Sequence, residues 1–261
     1  MEQLVRYESR ANVAGIELAT RALDNALNHE AAIQLDACVL RASEDSDCRV
    51  VVIYSEGPKF CTGMDLVAAS HNDPSVAREG ARAFASALLR ICESPKPFVA
   101  NLEGNVVAGG LGIIAACDIV IARRDVQIAL TEAIVGMVPF LISPFLRRRI
   151  SPSLLASLAL STRYLKADEA FHRGLVDEIC DSDTRTALDR QLDRLYHCSP
   201  RALDRIKRVA YLGDSAALRM QVDAALGELE EWIEQPSLRE ELGNFANGLS
   251  PSWFRRYRPR M

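Results

Sequence analysis

Between Arg49 and Tyr54 the chain places Val50, Val51, Val52 and Ile53 in one unbroken apolar run. A continuous β-branched run predicts a strand buried on both faces, as in a parallel sheet covered by helices. Ile16 to Ala19, Phe98 to Leu102 and Ile119 to Ala122 predict further strands. Between them the spacing becomes helical. Asn25-Ala26-Leu27-Asn28 predicts a turn whose Asn28 caps a helix from Glu30 to about Ala42. Pro74 to Glu93, with Val76, Phe84, Leu88, Leu89 and Ile91 recurring along it, predicts an amphipathic helix, and Leu111 to Ala116 a short one. Strand, helix and strand alternate with short connections, which favours right-handed crossover units. After Pro139 the pattern is almost entirely helical, over 154–160, 167–171, 185–196, 200–209 and 215–234, with one strand at Val176 to Ile179. The reading is an α/β core followed by a helical C-terminal region, with no internal repeat of fixed period.

A length of 261 residues suits one large α/β domain. The longest apolar stretch, Val106 to Ala122, is broken by glycines and Asp118 and is too short to span a bilayer, so a soluble protein without membrane association is expected. A net charge of -4 disfavours a nucleic-acid binder. The extreme C-terminus departs from that balance: Arg255, Arg256, Arg258 and Arg260 alternate with Phe254 and Tyr257 after Trp253. Such a tail is either solvated or aimed at a phosphate or acidic partner. Seven scattered cysteines without a CxxC pair, and no basic-then-apolar leader pattern, predict a reducing, cytoplasmic setting. The four histidines lack ligand spacing, so no metal site is expected.

Two glycine-bearing segments concentrate the chemistry. Phe60-Cys61-Thr62-Gly63-Met64-Asp65 and Ala108-Gly109-Gly110-Leu111-Gly112 each follow a β-rich run and precede a helical one. Glycine allows close backbone approach, and a helix beginning just after it aims unbonded N–H groups at that point. One amide from each segment could form an oxyanion hole. An ordinary strand-to-helix turn is the alternative for either segment alone. Cys61 raises the possibility of a thiol nucleophile, although no histidine lies near it in sequence.

Taken in order, Asn25 to Asn28, Phe60 to Asp65, Gly104 to Asp118, Thr131-Glu132 with Gly136-Met137-Val138-Pro139, and Ala167 to Ile179 resemble the enoyl-CoA hydratase/isomerase, or crotonase, superfamily. The resemblance implies an α/β crotonase (ClpP/crotonase-like) fold of repeated ββα units, with residues 1–195 as core and 196–261 as a helical region for oligomerisation and active-site cover. It implies that the Met64 and Gly109 amides hold a thioester oxygen, and that Phe60, Cys61, Gly63, Gly110, Gly112 and Pro139 contribute to substrate binding. Hydratases of the family commonly use two glutamates. The second is present as Glu132, whereas the first position is Gly112. The apolar neighbours Ile128-Ala129-Leu130 and Ala133-Ile134-Val135 should desolvate Glu132 and raise its pKa, suiting it to proton transfer. Asp65 is the candidate second acid or base, or a loop cap. Asp118 reads as structural, His172 as a surface residue, and Arg147-Arg148-Arg149 as a solvated cluster, an oligomer contact or a phosphate or carrier-protein contact.

Within the family, Phe60 to Asp65, Ala108 to Gly112 and Val138 to Arg149 resemble the polyketide β-branching dehydratases, which act on 3-hydroxy-3-methylglutaryl groups on an acyl carrier protein. Ile142-Ser143-Pro144 also resembles the methylglutaconyl-CoA hydratases. The resemblance implies a lyase converting a 3-hydroxy-3-methylglutaryl thioester to the 3-methylglutaconyl thioester. It implies no cofactor beyond the substrate's own phosphopantetheine or CoA arm, an acyl carrier protein or CoA thioester as partner, and a homotrimer or homohexamer. The alternatives are a hydratase or Δ3,Δ2-enoyl isomerase on CoA thioesters, and a non-catalytic acyl-thioester-binding subunit.

Overall fold

The computed structural model describes residues 2–20, 24–65, 68, 73–210 and 214–255. Strands β1 (Val5–Arg10), β2 (Val13–Leu18), β3 (Val50–Ser55), β5 (Phe98–Leu102), β7 (Ile119–Arg123) and β10 (Glu178–Cys180) form one sheet in the order β1-β2-β3-β5-β7-β10. Only the β1–β2 pairing is antiparallel. A smaller sheet takes β4 (Lys59–Cys61), β6 (Asn105–Val107), β8 (Gln127–Ala129) and β9 (Leu165–Lys166) in the order β4-β6-β8-β9. Its first three strands are parallel. Each long strand β3, β5 and β7 is thus followed by a short one, β4, β6 and β8, in the other sheet.

The apolar run in β3 is buried on both faces, as its pattern predicts. Val51 and Ile53 join the main core, while Val50 and Val52 join a second cluster with Ala187 and Leu195 of α7 (Arg185–Tyr196). Helix α1 (His29–Glu44) begins at Asn28, whose side chain accepts the Ala31 amide at 2.8 Å. Helix α2 (Pro74–Glu93) begins at Asp73, which accepts the Ser75 amide at 2.8 Å, with proline preorganising the first turn. The two helices touch closely: a Cβ on Gly80 would lie 3.1 Å from the His29 Cα. Helix α3 (Gly109–Ala116) starts two residues earlier than its apolar pattern indicates, at the glycine pair itself. The strand expected at Val176 to Ile179 lies at Glu178 to Cys180.

Beyond the short helices α4 (Ser143–Leu146), α5 (Pro152–Ser161) and α6 (Ala167–His172), the helical region continues through α7 to α8 (Pro200–Ala210), α9 (Asp214–Ile233) and α10 (Pro236–Ala246). Leu218, Val222, Leu229 and Ile233 of α9 belong to the same buried cluster as the sheet residues. Helix α8 is pinned by one charge. The Lys207 ammonium is 2.8 Å from an Asp118 carboxylate oxygen and donates to the carbonyls of Ile91 at 3.1 Å and Lys96 at 2.9 Å. That same Asp118 oxygen accepts the Phe98 amide at 2.8 Å, so Asp118 is a structural link between β5, β7 and α8. Among the described residues, no helix is long and apolar enough to cross a membrane.

Removing one partner of a buried ion pair strands the other. Lys207→Ala is expected to lower unfolding free energy by about 3 kcal/mol, read from denaturant midpoints.

Candidate functional site

Three parallel strands of the small sheet end side by side, and each runs into one candidate group. Met64 follows β4, Gly109 follows β6, and Glu132 follows β8. All three residues line one cavity of about 390 Å³. The Met64 segment is tied to the start of α1 by a parallel bridge, in which the Leu27 amide donates to the Gly63 carbonyl at 2.7 Å and the Asp65 amide to the Leu27 carbonyl at 3.1 Å. That alternation leaves the Met64 N–H outside the ladder. Gly109 is the first residue of α3, so its N–H lies beyond the reach of the helix's own carbonyls.

The two segments are in direct contact. Gly63 has φ +85°, and a Cβ there would meet the Ala108 Cβ at 2.7 Å and the Gly109 nitrogen at 2.9 Å. Ala108 carries a positive φ of 49° with ψ -121°, a costly conformation for a residue with a side chain. Its own amide stays in the sheet, donating to the Ala129 carbonyl at 3.0 Å, while Gly109 next to it lines the cavity. Sequence reasoning passed over Ala108, because nothing in alanine signals that conformation.

Glu132 opens a 3-10 turn, Glu132–Val135, closed by Gly136 in the left-handed region at φ +75°. Its Oε2 is buried and has no hydrogen-bond partner. Burial pushes the carboxyl up from 4.5 to about 7, against the opposing pull of the Glu132 and Thr131 amides. Asp65 also lines the cavity, and its Oδ1 accepts the Ala68 amide at 3.0 Å, which makes it a cap for the chain that follows.

The remaining expected contacts divide. Gly63 and Pro139 line the cavity, whereas Phe60, Cys61, Gly110 and Gly112 lie behind its wall. Phe60 and Cys61 are fully buried. Burial pushes the Cys61 thiol up to about 12, so it is no nucleophile near neutrality; its sulfur instead accepts the Gly63 amide at 3.5 Å. A Cβ on Gly110 would lie 2.9 Å from the Cys61 Cβ, so these two residues pack the segments together rather than meet a ligand. At Gly112 a Cβ would lie 2.5 Å from Ile142 Cγ2 and 3.1 Å from Leu88 Cδ1. Ile142 lines the cavity and fills the space that a side chain at 112 would need. No local pattern announces that pairing across thirty positions. The wall also takes Leu229 and Phe245 from the C-terminal helices, and His29 and Tyr164, none of which the sequence marked as a site residue.

The arginine cluster turns largely inward. Arg149 donates to the Cys117 carbonyl at 2.8 Å and pairs with Asp177 at 3.1 Å, and Arg148 contacts the Cys92 sulfur. Arg147 is exposed. His172 is exposed, with its Nδ1 2.6 Å from the Asp168 carbonyl. Arg255 folds back on the Ser252 and Phe254 carbonyls at 2.7 and 2.9 Å. Arg256, Tyr257, Arg258 and Arg260 lie outside the described residues.

Comparison with known proteins is consistent across the chain. Residues 8–256 match the enoyl-CoA hydratase/isomerase family. Carnitinyl-CoA dehydratase from Proteus mirabilis is 27% identical over 212 residues, 80% of this chain and 80% of that one. The crystal structure of an enoyl-CoA hydratase from Mycobacterium avium gives a TM-score of 0.82 at 32% identity, covering 97% of this chain and 100% of the other. A Bacillus subtilis protein provisionally assigned as a polyketide biosynthesis enoyl-CoA hydratase gives 0.83 at 23% identity, covering 96% and 99%, a likeness of fold.

Two contrasts test this geometry. Gly63→Ala, strained in φ and pressed on Ala108, is expected to lose about 2 kcal/mol or more of stability. Gly109→Ala, whose Cβ would meet Gly63 Cα at an ordinary 3.4 Å, is expected to stay within about 1 kcal/mol of the parent. The raised Glu132 pKa carries a pH signature. The unfolded carboxyl ionises near 4.5 and the folded one near 7, so between those values the folded state holds more protons and its stability falls as pH rises. Glu132→Gln removes that penalty and is expected to unfold with about 3 kcal/mol more free energy at pH 8, but not at pH 4.

Proposed function

The chain belongs to the enoyl-CoA hydratase/isomerase family, and on that premise we propose that it is a lyase that removes water from a 3-hydroxyacyl thioester, or adds it in reverse. The thioester oxygen sits between the Met64 and Gly109 amides, and Glu132 moves the α-proton. The observation that carries this reading is the buried, unpartnered Oε2 of Glu132, in one cavity with those two amides.

In the dehydration direction the α C–H bond breaks and its proton passes to the Glu132 carboxylate. The electron pair delocalises onto the thioester oxygen, where the two amides stabilise the enolate; one such donor is worth roughly 2.7–4 kcal/mol of barrier. The enolate re-forms the double bond as the C3–O bond breaks. The departing hydroxyl takes the proton back from Glu132 and leaves as water, which restores the carboxylate. A single carboxyl with a pKa near neutrality serves both transfers. This matters because Ile142 occupies the space beside Gly112, where hydratases of the family commonly carry a second glutamate. The same single carboxyl supports a second reading, a double-bond shift in which the proton returns to C4 rather than to a hydroxyl.

For the acyl group we favour 3-hydroxy-3-methylglutaryl on an acyl carrier protein, giving the 3-methylglutaconyl product, on the wording of Phe60 to Asp65, Ala108 to Gly112 and Val138 to Arg149. The rival is an apolar acyl group on CoA. It is supported by the wall itself, where no lysine or arginine is found among the described residues and His29 is paired with Glu79 at 3.0 Å.

Glu132→Gln is expected to lower turnover by about 100- to 10,000-fold, while the parent's kcat rises with pH through a midpoint near 7 as the base ionises. Wild-type turnover in that variant would overturn the assignment, and tight thioester binding without turnover by the parent would favour a non-catalytic carrier of acyl groups. Mass spectrometry of 3-hydroxy-3-methylglutaryl and straight-chain 3-hydroxyacyl groups, each on CoA and on carrier protein, separates the readings. Loss of one water marks the lyase, whereas inertness toward these groups with conversion of a 3-enoyl thioester to the conjugated 2-enoyl isomer, read by ultraviolet absorbance, marks the isomerase.

A further inference from the structure

Both tryptophans of this chain converge on one glycine. The Trp232 indole N–H, from α9, donates to the Gly136 carbonyl at 2.9 Å. Trp253 lies over the same residue, its Cη2 2.8 Å from where a Cβ on Gly136 would stand. Gly136 is the left-handed cap that closes the turn beginning at Glu132, and the Met137 amide donates back to the Glu132 carbonyl at 2.9 Å. Trp232 also meets Phe140 edge to face, with ring centroids 6.0 Å apart. The turn that presents Glu132 is therefore fastened from the far end of the chain.

We propose that Trp232 and Trp253 form a clasp that positions Glu132, holding its turn closed so that the carboxyl stays turned into the cavity and away from water. Neither indole touches the carboxyl, so both are positioning residues. This inference rests on Glu132 being the base. A 3-10 turn of four residues has few hydrogen bonds of its own, and the half-buried carbonyl at its cap is steadied by an outside donor. Trp232 supplies that donor, and Trp253, itself partly exposed, covers Gly136 from the solvent side. Of the charges beside Trp232 on α9, Glu230 pairs with Arg82 at 2.7 Å and Glu234 with Arg78, while Glu228 and Glu231 are exposed. The other titratable groups on the cavity wall are Asp65, His29 and Tyr164. Asp65 caps Ala68 and His29 pairs with Glu79.

Trp232→Phe keeps the ring against Phe140 and deletes the N–H. Its expected signature is a fall in kcat of about tenfold or more with KM little changed. A fall of the kcat–pH midpoint toward the ordinary carboxylate range, as water reaches Glu132, is expected with it. Trp253→Ala should move the midpoint in the same direction, and it serves as the test if Trp232→Phe does not fold. The emission of both indoles should shift when an acyl thioester binds. A midpoint and kcat unchanged in the folded variant, or a loss of stability with the midpoint unmoved, would overturn the proposal. Glu132→Gln separates the two levels: if that variant remains active, the underlying reading fails, whereas if it is inactive and the tryptophan variants titrate like the parent, only the clasp fails.

Discussion

The close approach of Gly63 to Ala108 and Gly109 is the constraint on which the site depends. Space for a Cβ at Gly63 is absent, and Ala108 is held at a positive φ that it would not adopt alone. The sheet supplies the restraint. With β4, β6 and β8 in parallel register, the Ala108 amide is anchored on Ala129 and the Gly63 carbonyl on Leu27. Strain of this kind persists only where the surroundings over-determine it. Its product is the pairing of Met64 and Gly109, whose amides lie outside the ladder, on the wall of the same cavity as Glu132.

Much of this was legible in the sequence where the pattern is long. Pro74 to Glu93, Phe98 to Leu102 and Arg185 to Tyr196 are observed with the bounds their periodicity predicts. Asn28 caps α1 as its side chain suggests. Of the short strands only β10 was legible, two positions off at its start; β4, β6, β8 and β9, of two or three residues without a period, exist through partners far away in sequence. β1 was also missed, since it is an edge strand with mostly exposed side chains. Of the expected binding residues, Phe60, Cys61, Gly110 and Gly112 were legible as special but not as to why. Their motif reflects segments packed against each other, and sequence alone does not separate that from contact with a ligand.

Desolvation of Glu132 sets the proton transfer proposed for it against stability. A carboxyl that prefers to be neutral in the folded state costs the protein stability at neutral pH, and the surrounding structure offsets this. Leu229 and Phe245 close the cavity from the C-terminal helices, and α9 packs into the same core as the sheet. The C-terminal third is thus part of what keeps the carboxyl dry, although no pattern in that third mentions proton transfer.

The contact between Gly112 and Ile142 also couples two distant positions. A glutamate at 112 has no room while Ile142 stands 2.5 Å from its Cβ, so that substitution is harmful if it comes first. A smaller residue at 142 coming first would leave a void beside Leu88, costing on the order of 1 kcal/mol or more with nothing gained. Each single change is expected to cost stability, and only the two together make room for a carboxylate at 112. Positions 112 and 142, thirty residues apart, thus behave as one unit of volume, and a change at either is felt at the other.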